Sequence, residues 1–163
     1  MKTVLLMRHA KSSWDNPALD DHERPLNKRG QSAAPRIGQL IRDEGICPQV
    51  VVSSTAVRAE STARIVAQEC GFKGEIVFTD DLYLAPPSQY LGIISGLDDT
   101  YGTVLLVGHN PGISELVSGI CNQPVSMPTA ALAVTRTQHE TWKGYETEPA
   151  SELVNFWRPK QLD

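Results

Sequence analysis

Four short apolar runs set the limits on what this chain can become. They are TVLLM at 3–7, VVVS at 50–53, IVFT at 76–79 and TVLLVG at 103–108. Each is short, rich in strand formers and without polar alternation, as expected of a strand covered on both faces. Between them, apolar residues recur at helical spacing. Ala33, Ile37, Leu40 and Ile41 share one face, and so do Ala59, Ala63, Val66, Ala67 and Cys70. Leu91, Ile94 and Leu97 make a shorter stripe; Ile113, Leu116, Val117, Ile120 and Cys121 make a longer one. Strands alternating with amphipathic helices predict an α/β fold. The expectation is a single-domain three-layer sandwich over 1–163, with a mostly parallel central sheet and helices on both faces. Ser32 is the expected cap of the first helix, which would put Pro35 in the first turn, where proline is tolerated. The tail breaks the alternation. ALAVTRT at 131–137 and ELVNFWRP at 152–159 read as strands joined by a polar loop containing Gly144. They predict an antiparallel C-terminal strand or hairpin.

Bulk properties exclude several classes. With 163 residues, 40% of them apolar, the chain can bury a core and is no disordered tail. A net charge of −4 argues against broad nucleic-acid binding but leaves room for a local basic pocket. Cys47, Cys70 and Cys121 fit neither a zinc or redox spacing nor a disulfide framework, so reduced structural thiols are expected. No apolar run approaches the roughly 20 residues of a membrane span. The opening MKTVLLMRHA is too short and too soon charged for a secretory signal. A soluble cytoplasmic protein is expected.

In open α/β sheets ligands sit beyond the carboxyl ends of the strands. The first run ends in Arg8 and His9. The second leads into SSTAVRA, with Arg58 at the start of a helix. The fourth leads into GHNPG, with His109 and Asn110 before another helix, and DDHERPLNKRG carries Arg24. Singly, each has an ordinary reading: a solvated loop start, a turn into a helix, or a helix N-terminal residue. Arg58 fits that last reading poorly, because the helix dipole disfavours a cation there. Jointly, two histidines and two or three arginines from four distant segments converge on one rim. Guanidinium groups grip phosphate oxygens in a bidentate fork. A helix N-terminus favours an anion. A neutral imidazole is a nucleophile toward phosphorus, and neighbouring arginines keep it neutral. DDHE at 20–23 is no convincing metal cluster, because consecutive residues rarely ligate one ion and Arg24 follows directly. His22 and His139 lack partners in sequence and read as surface residues, Trp14 as a wall of the pocket, and Thr129 as a residue near the site.

These residues resemble the histidine phosphatase superfamily, the phosphoglycerate mutase-like fold, and within it the SixA-like phosphohistidine phosphatases. The matching segments are LLMRHAKSSW, DHERPLNKRGQSAAPRIGQLI, VVVSSTAVRAESTARIV, LYLAPPSQYLGII and VLLVGHNPGISELV. They are collinear over most of 3–118, and the tail ELVNFWRPK looks like that branch too. The resemblance implies that His9 is the nucleophile, that Arg8 and Arg58 bind the phosphoryl group, and that His109 completes the pocket. It places Arg24 where this branch has an additional phosphate-contacting arginine. Asn110 is a further candidate for substrate contact. The resemblance implies neither a metal nor an organic cofactor.

Two departures stand out. Ala10 replaces the family's glycine after the histidine. Where larger members place a glutamate that protonates the leaving oxygen, TDDLYLAPPS puts Leu84, and Asp81 is the best remaining candidate for a general acid. An alkoxide leaves poorly without a proton donor, whereas a ring-protonated phosphohistidine leaves as neutral imidazole. A weak or missing acid, and the lack of a long lid insertion, therefore favour a phosphorylated protein, such as a histidine phosphotransfer or carrier protein. A phosphatase of small phosphorylated metabolites is the alternative, and a non-catalytic phosphoryl-binding module the third reading.

Overall fold

A computed structural model describes residues 1–162. Six strands form one sheet in the order β3-β2-β4-β1-β5-β6. They are β1 (Lys2–Arg8), β2 (Val50–Ser54), β3 (Ile76–Thr79), β4 (Thr103–Gly108), β5 (Leu132–Thr137) and β6 (Glu152–Trp157). The first four run parallel to one another, and β5 lies antiparallel to β1 and to β6. The expected α/β class holds, and the tail is the expected hairpin.

Four helices cover the sheet: α1 (Lys28–Asp43), α2 (Val57–Cys70), α3 (Pro87–Ser95) and α4 (Gly112–Cys121). The period of two along each strand divides the core in half. Leu5, Met7, Val51, Leu105 and Val107 face α1 and α2, where Ile37, Ile41, Ala59, Ala63 and Val66 meet them. Val4, Leu6, Val52, Val104 and Leu106 face α3 and α4, against Tyr90, Ile94, Ile113, Leu116 and Val117. Trp142 and Tyr145, in the loop between β5 and β6, complete this second core at 0% exposure. Two fully buried layers explain why the central strands carry no polar alternation.

One local expectation fails. Helix α1 begins at Lys28, and its cap is Asn27, whose side chain accepts from the Gly30 amide at 2.9 Å. Ser32 lies inside the helix, and Pro35 falls well past the first turn. The earlier start follows from packing: a Cβ at Gly30 would stand 2.2 Å from the Lys11 carbonyl oxygen. That close approach docks the N-terminus of α1 on the loop after β1. Helix α3 likewise stops at Ser95, before Leu97. The three cysteines are free thiols, although the fold brings the Cys47 and Cys70 sulfurs within 3.3 Å. Among the described residues, no helix is long and apolar enough to cross a membrane.

Candidate active site

Strands β1 and β4 pair with Arg8 opposite Gly108, so the residues that follow, His9 and His109, leave the sheet side by side. Their ring centroids are 5.0 Å apart. The His9 backbone is held on both sides: its amide donates to the Gly108 carbonyl at 3.0 Å, and its carbonyl accepts from the Ala130 amide at 3.0 Å. The next amide, Ala10, donates to Thr62 Oγ1 at 3.0 Å, and Thr62 donates in turn to the Arg58 carbonyl at 2.7 Å. The nucleophile candidate and the arginine candidate are thus tied together through α2. Gly108 is needed for a close approach, because a Cβ there would meet the Tyr90 hydroxyl at 1.9 Å. That hydroxyl accepts from the His109 amide at 3.2 Å.

A cavity of about 180 Å³ opens at this point. Arg8, His9, Arg24, Arg58, His109 and Asn110 all line it, and so do Lys11, Trp14, Leu84 and Thr129. The convergence expected from four distant segments is therefore present in space. Trp14 stands 72% exposed, with the Arg24 guanidinium stacked 3.2 Å from its ring centroid, and so forms a wall.

Hydrogen bonds set the tautomers. His9 Nδ1 donates to the Ala10 carbonyl at 2.8 Å, which leaves the Nε2 lone pair directed at Arg58 Nε, 3.4 Å away. His109 Nδ1 lies 3.5 Å from Arg58 Nη2, and its Nε2 donates to Ser54 Oγ at 2.8 Å. Burial pushes His9 down to about 4; the Ala10 hydrogen bond opposes this, and Arg58, Arg8 and Arg24 add to it. His109 is lowered to about 3, first by burial and then by His9 and Arg58. The expectation of a neutral His9 thus holds, but desolvation rather than the arginines is its main cause. His109 is also neutral near pH 7.

The sequence reading missed Asp21. Its carboxylate accepts from Arg58 Nη2 and from Arg24 Nη1, each at 2.9 Å, and also from the Tyr83 hydroxyl. Its carbonyl accepts from Arg58 Nη1 at 2.6 Å. Partial burial opposes its ionisation, but those hydrogen bonds win and hold the carboxyl far below the usual range. Asp21 is an anchor for two guanidinium groups and is never protonated near neutrality. A signal was available: in DDHER, Asp21 and Arg24 stand three residues apart, close enough to pair across one turn. Its neighbour His22, read as a surface residue without partners, lies 2.9 Å from Thr55 Oγ1 and packs edge-on against Tyr83. His139 Nε2 lies 2.7 Å from the Glu148 carbonyl, away from the site.

Other candidates occupy lesser positions. Arg8 Nη1 donates to the Met127 carbonyl at 3.1 Å, and its buried Nε has no partner among the described residues. Asn110 also donates to Met127, at 2.9 Å, and accepts from Ser114, so its amide braces the rim. Asp81 is exposed in the turn after β3 and does not line the cavity. Leu84 lines it instead, at a left-handed φ of 49°. Among the described residues, no Asp or Glu lines the cavity.

Comparison with known proteins agrees with this geometry. Residues 4–83 match the histidine phosphatase superfamily, branch 1. The fold superimposes on SixA from Agrobacterium tumefaciens with a TM-score of 0.83 and 29% identity, covering 97% of this chain and 98% of that one. It shares the fold of the protein histidine phosphatase SixA solved with tungstate, at TM-score 0.85 and 21% identity, covering 99% of each chain. An uncharacterized protein from Mycobacterium leprae is 34% identical over 94% of this chain and its own full length. A phosphoglycerate mutase from Thermobifida fusca is 37% identical over 44% of this chain and 30% of its own.

Proposed function

The chain belongs to the histidine phosphatase superfamily, and on that premise we propose that it hydrolyses phosphohistidine carried on a protein, through a covalent intermediate on His9. One observation carries the choice of substrate. The cavity presents three arginines, Lys11 and two unprotonated imidazoles, and no carboxylic acid among the described residues. Such a site can bind a phosphoryl group and attack it, but among the described residues it offers no carboxylic acid to protonate an alkoxide.

The chemistry proceeds in two displacements. His9 Nε2, its Nδ1–H held by the Ala10 carbonyl, attacks phosphorus in line with the leaving nitrogen. The P–N bond to the substrate imidazole breaks as the bond to His9 forms. The departing ring carries a proton taken from solvent on its other nitrogen and leaves neutral. Arg8 and Arg58 spread the charge of the equatorial oxygens, with Arg24 beside them, and His109 donates to one of those oxygens after taking a proton from solvent on Nδ1 as the phosphoryl group binds. Water then attacks phosphorus, the bond to Nε2 breaks, and inorganic phosphate leaves. Phosphate oxygens compete with Asp21 for the Arg58 guanidinium, so the apo ion pair keeps that side chain in place until substrate arrives. Asn110 supports this arrangement by bracing the rim that Arg8 also grips.

Phosphate release, measured in chelator, tests the reading. Substrates are a phosphohistidine-bearing protein and a panel of sugar phosphates at equal concentration. A strong preference for phosphohistidine supports it. A preference for a sugar phosphate favours the alternative suggested by the partial likeness to phosphoglycerate mutases, and requires Asp81 or another acid to reach the leaving oxygen. An alkali-stable phosphoryl group trapped on His9 excludes a merely phosphoryl-binding module.

A further inference from the structure

Beside the phosphoryl cavity lies a second, larger depression of about 700 Å³, which shares Lys11 and Thr129 with it. Six cations line this groove: Lys11, Lys28, Arg29, Arg36, Arg158 and Lys160. No carboxylate among the described residues does. The chain has 15 Lys and Arg against 19 Asp and Glu, so this gathering runs against its overall charge. The six come from three separate places: the loop after β1, helix α1, and the segment after β6. Arg36 Nη2 donates to the Pro159 carbonyl at 3.2 Å and so ties two of the walls together.

The other five are exposed and form no ion pair among the described residues. Exposed arginines elsewhere do pair, Arg42 with Asp43 and Arg64 with Glu60. Like charges held together repel one another, so folding gains nothing from this cluster. The groove also differs from the cavity in kind. It has no buried guanidinium and no network of hydrogen bonds aimed at one point. Spread cations, most of them exposed, match a surface bearing many carboxylates better than one compact polyphosphate. The small cavity is of a size for a phosphoryl group and the ring that carries it, and the shared Lys11–Thr129 rim gives the rest of a protein substrate a path onto the groove.

We propose that this groove receives an acidic segment next to the phosphohistidine of the substrate protein. This rests on the reading of the chain as a protein phosphohistidine phosphatase. The groove then acts in choosing among phosphoproteins, while the cavity acts on any phosphohistidine.

Two phosphohistidine peptides test this, identical except that the flanking residues are Asp and Glu in one and Asn and Gln in the other. The expected result is a preference for the acidic peptide of about tenfold or more in kcat/KM at low salt, expressed in KM. It should collapse near 0.5 M salt, where charges are screened within a few ångströms. The triple variant Lys28→Glu, Arg29→Glu, Lys160→Glu should lose the preference and keep its rate on the neutral peptide. That rate reports an intact fold and site. No preference in the wild type, or a preference that survives in the variant, overturns the proposal. Should neither peptide be hydrolysed, the catalytic reading fails and the groove is judged by binding alone. Anisotropy with the unphosphorylated acidic peptide then supports it if salt-sensitive binding is lost in the variant, and overturns it if there is no binding. Stronger competition by inorganic tripolyphosphate than by the acidic peptide also overturns it, in favour of a small polyanion.

Discussion

In the cavity, Arg24 and Arg58 are buried and both are bound to Asp21; in the adjoining groove, Lys28, Arg29 and Lys160 stand exposed and form no ion pair among the described residues. The two regions share a rim and a sign of charge but use it in opposite ways. A buried guanidinium has given up water, a loss offset only by hydrogen bonds of good geometry. Its position is therefore fixed before the ligand arrives, which is what stabilising a transition state requires. An exposed lysine keeps its water and its freedom. It attracts at a distance and is weakened by salt. The cavity is suited to chemistry and the groove to choosing what reaches it.

The sharpest way to break this contrast is at the nucleophile. His9→Ala should lower turnover by about 10³-fold or more on every substrate, with the circular dichroism spectrum unchanged. Residual turnover near wild type would refute the mechanism. Arg58→Ala should lower kcat/KM by about 10²–10³-fold on acidic and neutral peptides alike, because it removes a donor fixed at the phosphoryl group. An effect confined to acidic peptides would mean that the cavity and the groove are not separate.

Stability separates them next. Gly108→Ala places a Cβ against the Tyr90 hydroxyl and should cost about 1–3 kcal/mol, read from urea unfolding. The cavity histidines should also make stability depend on pH. Both have folded values, about 4 and about 3, below the ordinary 6.5. The unfolded chain therefore binds more protons between about pH 6.5 and 4, so stability is complete above that window and falls as pH drops through it. Each group contributes at most about 1.4 kcal/mol per pH unit, and His109→Gln should roughly halve the slope of the histidine contribution. By the same lowering of His9, kcat/KM should hold down to low pH and fall only near 4. The smallest effect belongs to the groove: Lys28→Ala with Lys160→Ala should move Tm by no more than about 2 °C, as expected of exposed residues.

Much of the fold was legible in the chain. Unalternating apolar runs marked the strands with a helix-covered face on either side, and the hairpin was visible in 131–137 and 152–159. Arg8, His9, Arg58 and His109 could be placed at one rim because each follows a strand, and parallel strands end at the same edge. The same logic failed at Ser32 and Asp81. Ser32 lost the cap to Asn27 because helix α1 docks Gly30 against Lys11, a contact with no trace in local propensity. Asp81 precedes the position where the chain turns into the cavity, and Leu84 occupies that place with a left-handed backbone.

By itself, then, the amino-acid sequence determined the α/β alternation, the tail hairpin and the set of groups delivered to the strand ends. Those are consequences of period and order along the chain. Only the tertiary structure decided that Asp21 reaches Arg58 and Tyr83, that Arg58 and Ser54 meet the two ring nitrogens of His109, and that six cations from three segments share one groove. Those features join residues far apart in sequence through contacts that no periodicity records. Packing brings them together, and burial then sets how strongly each charge acts.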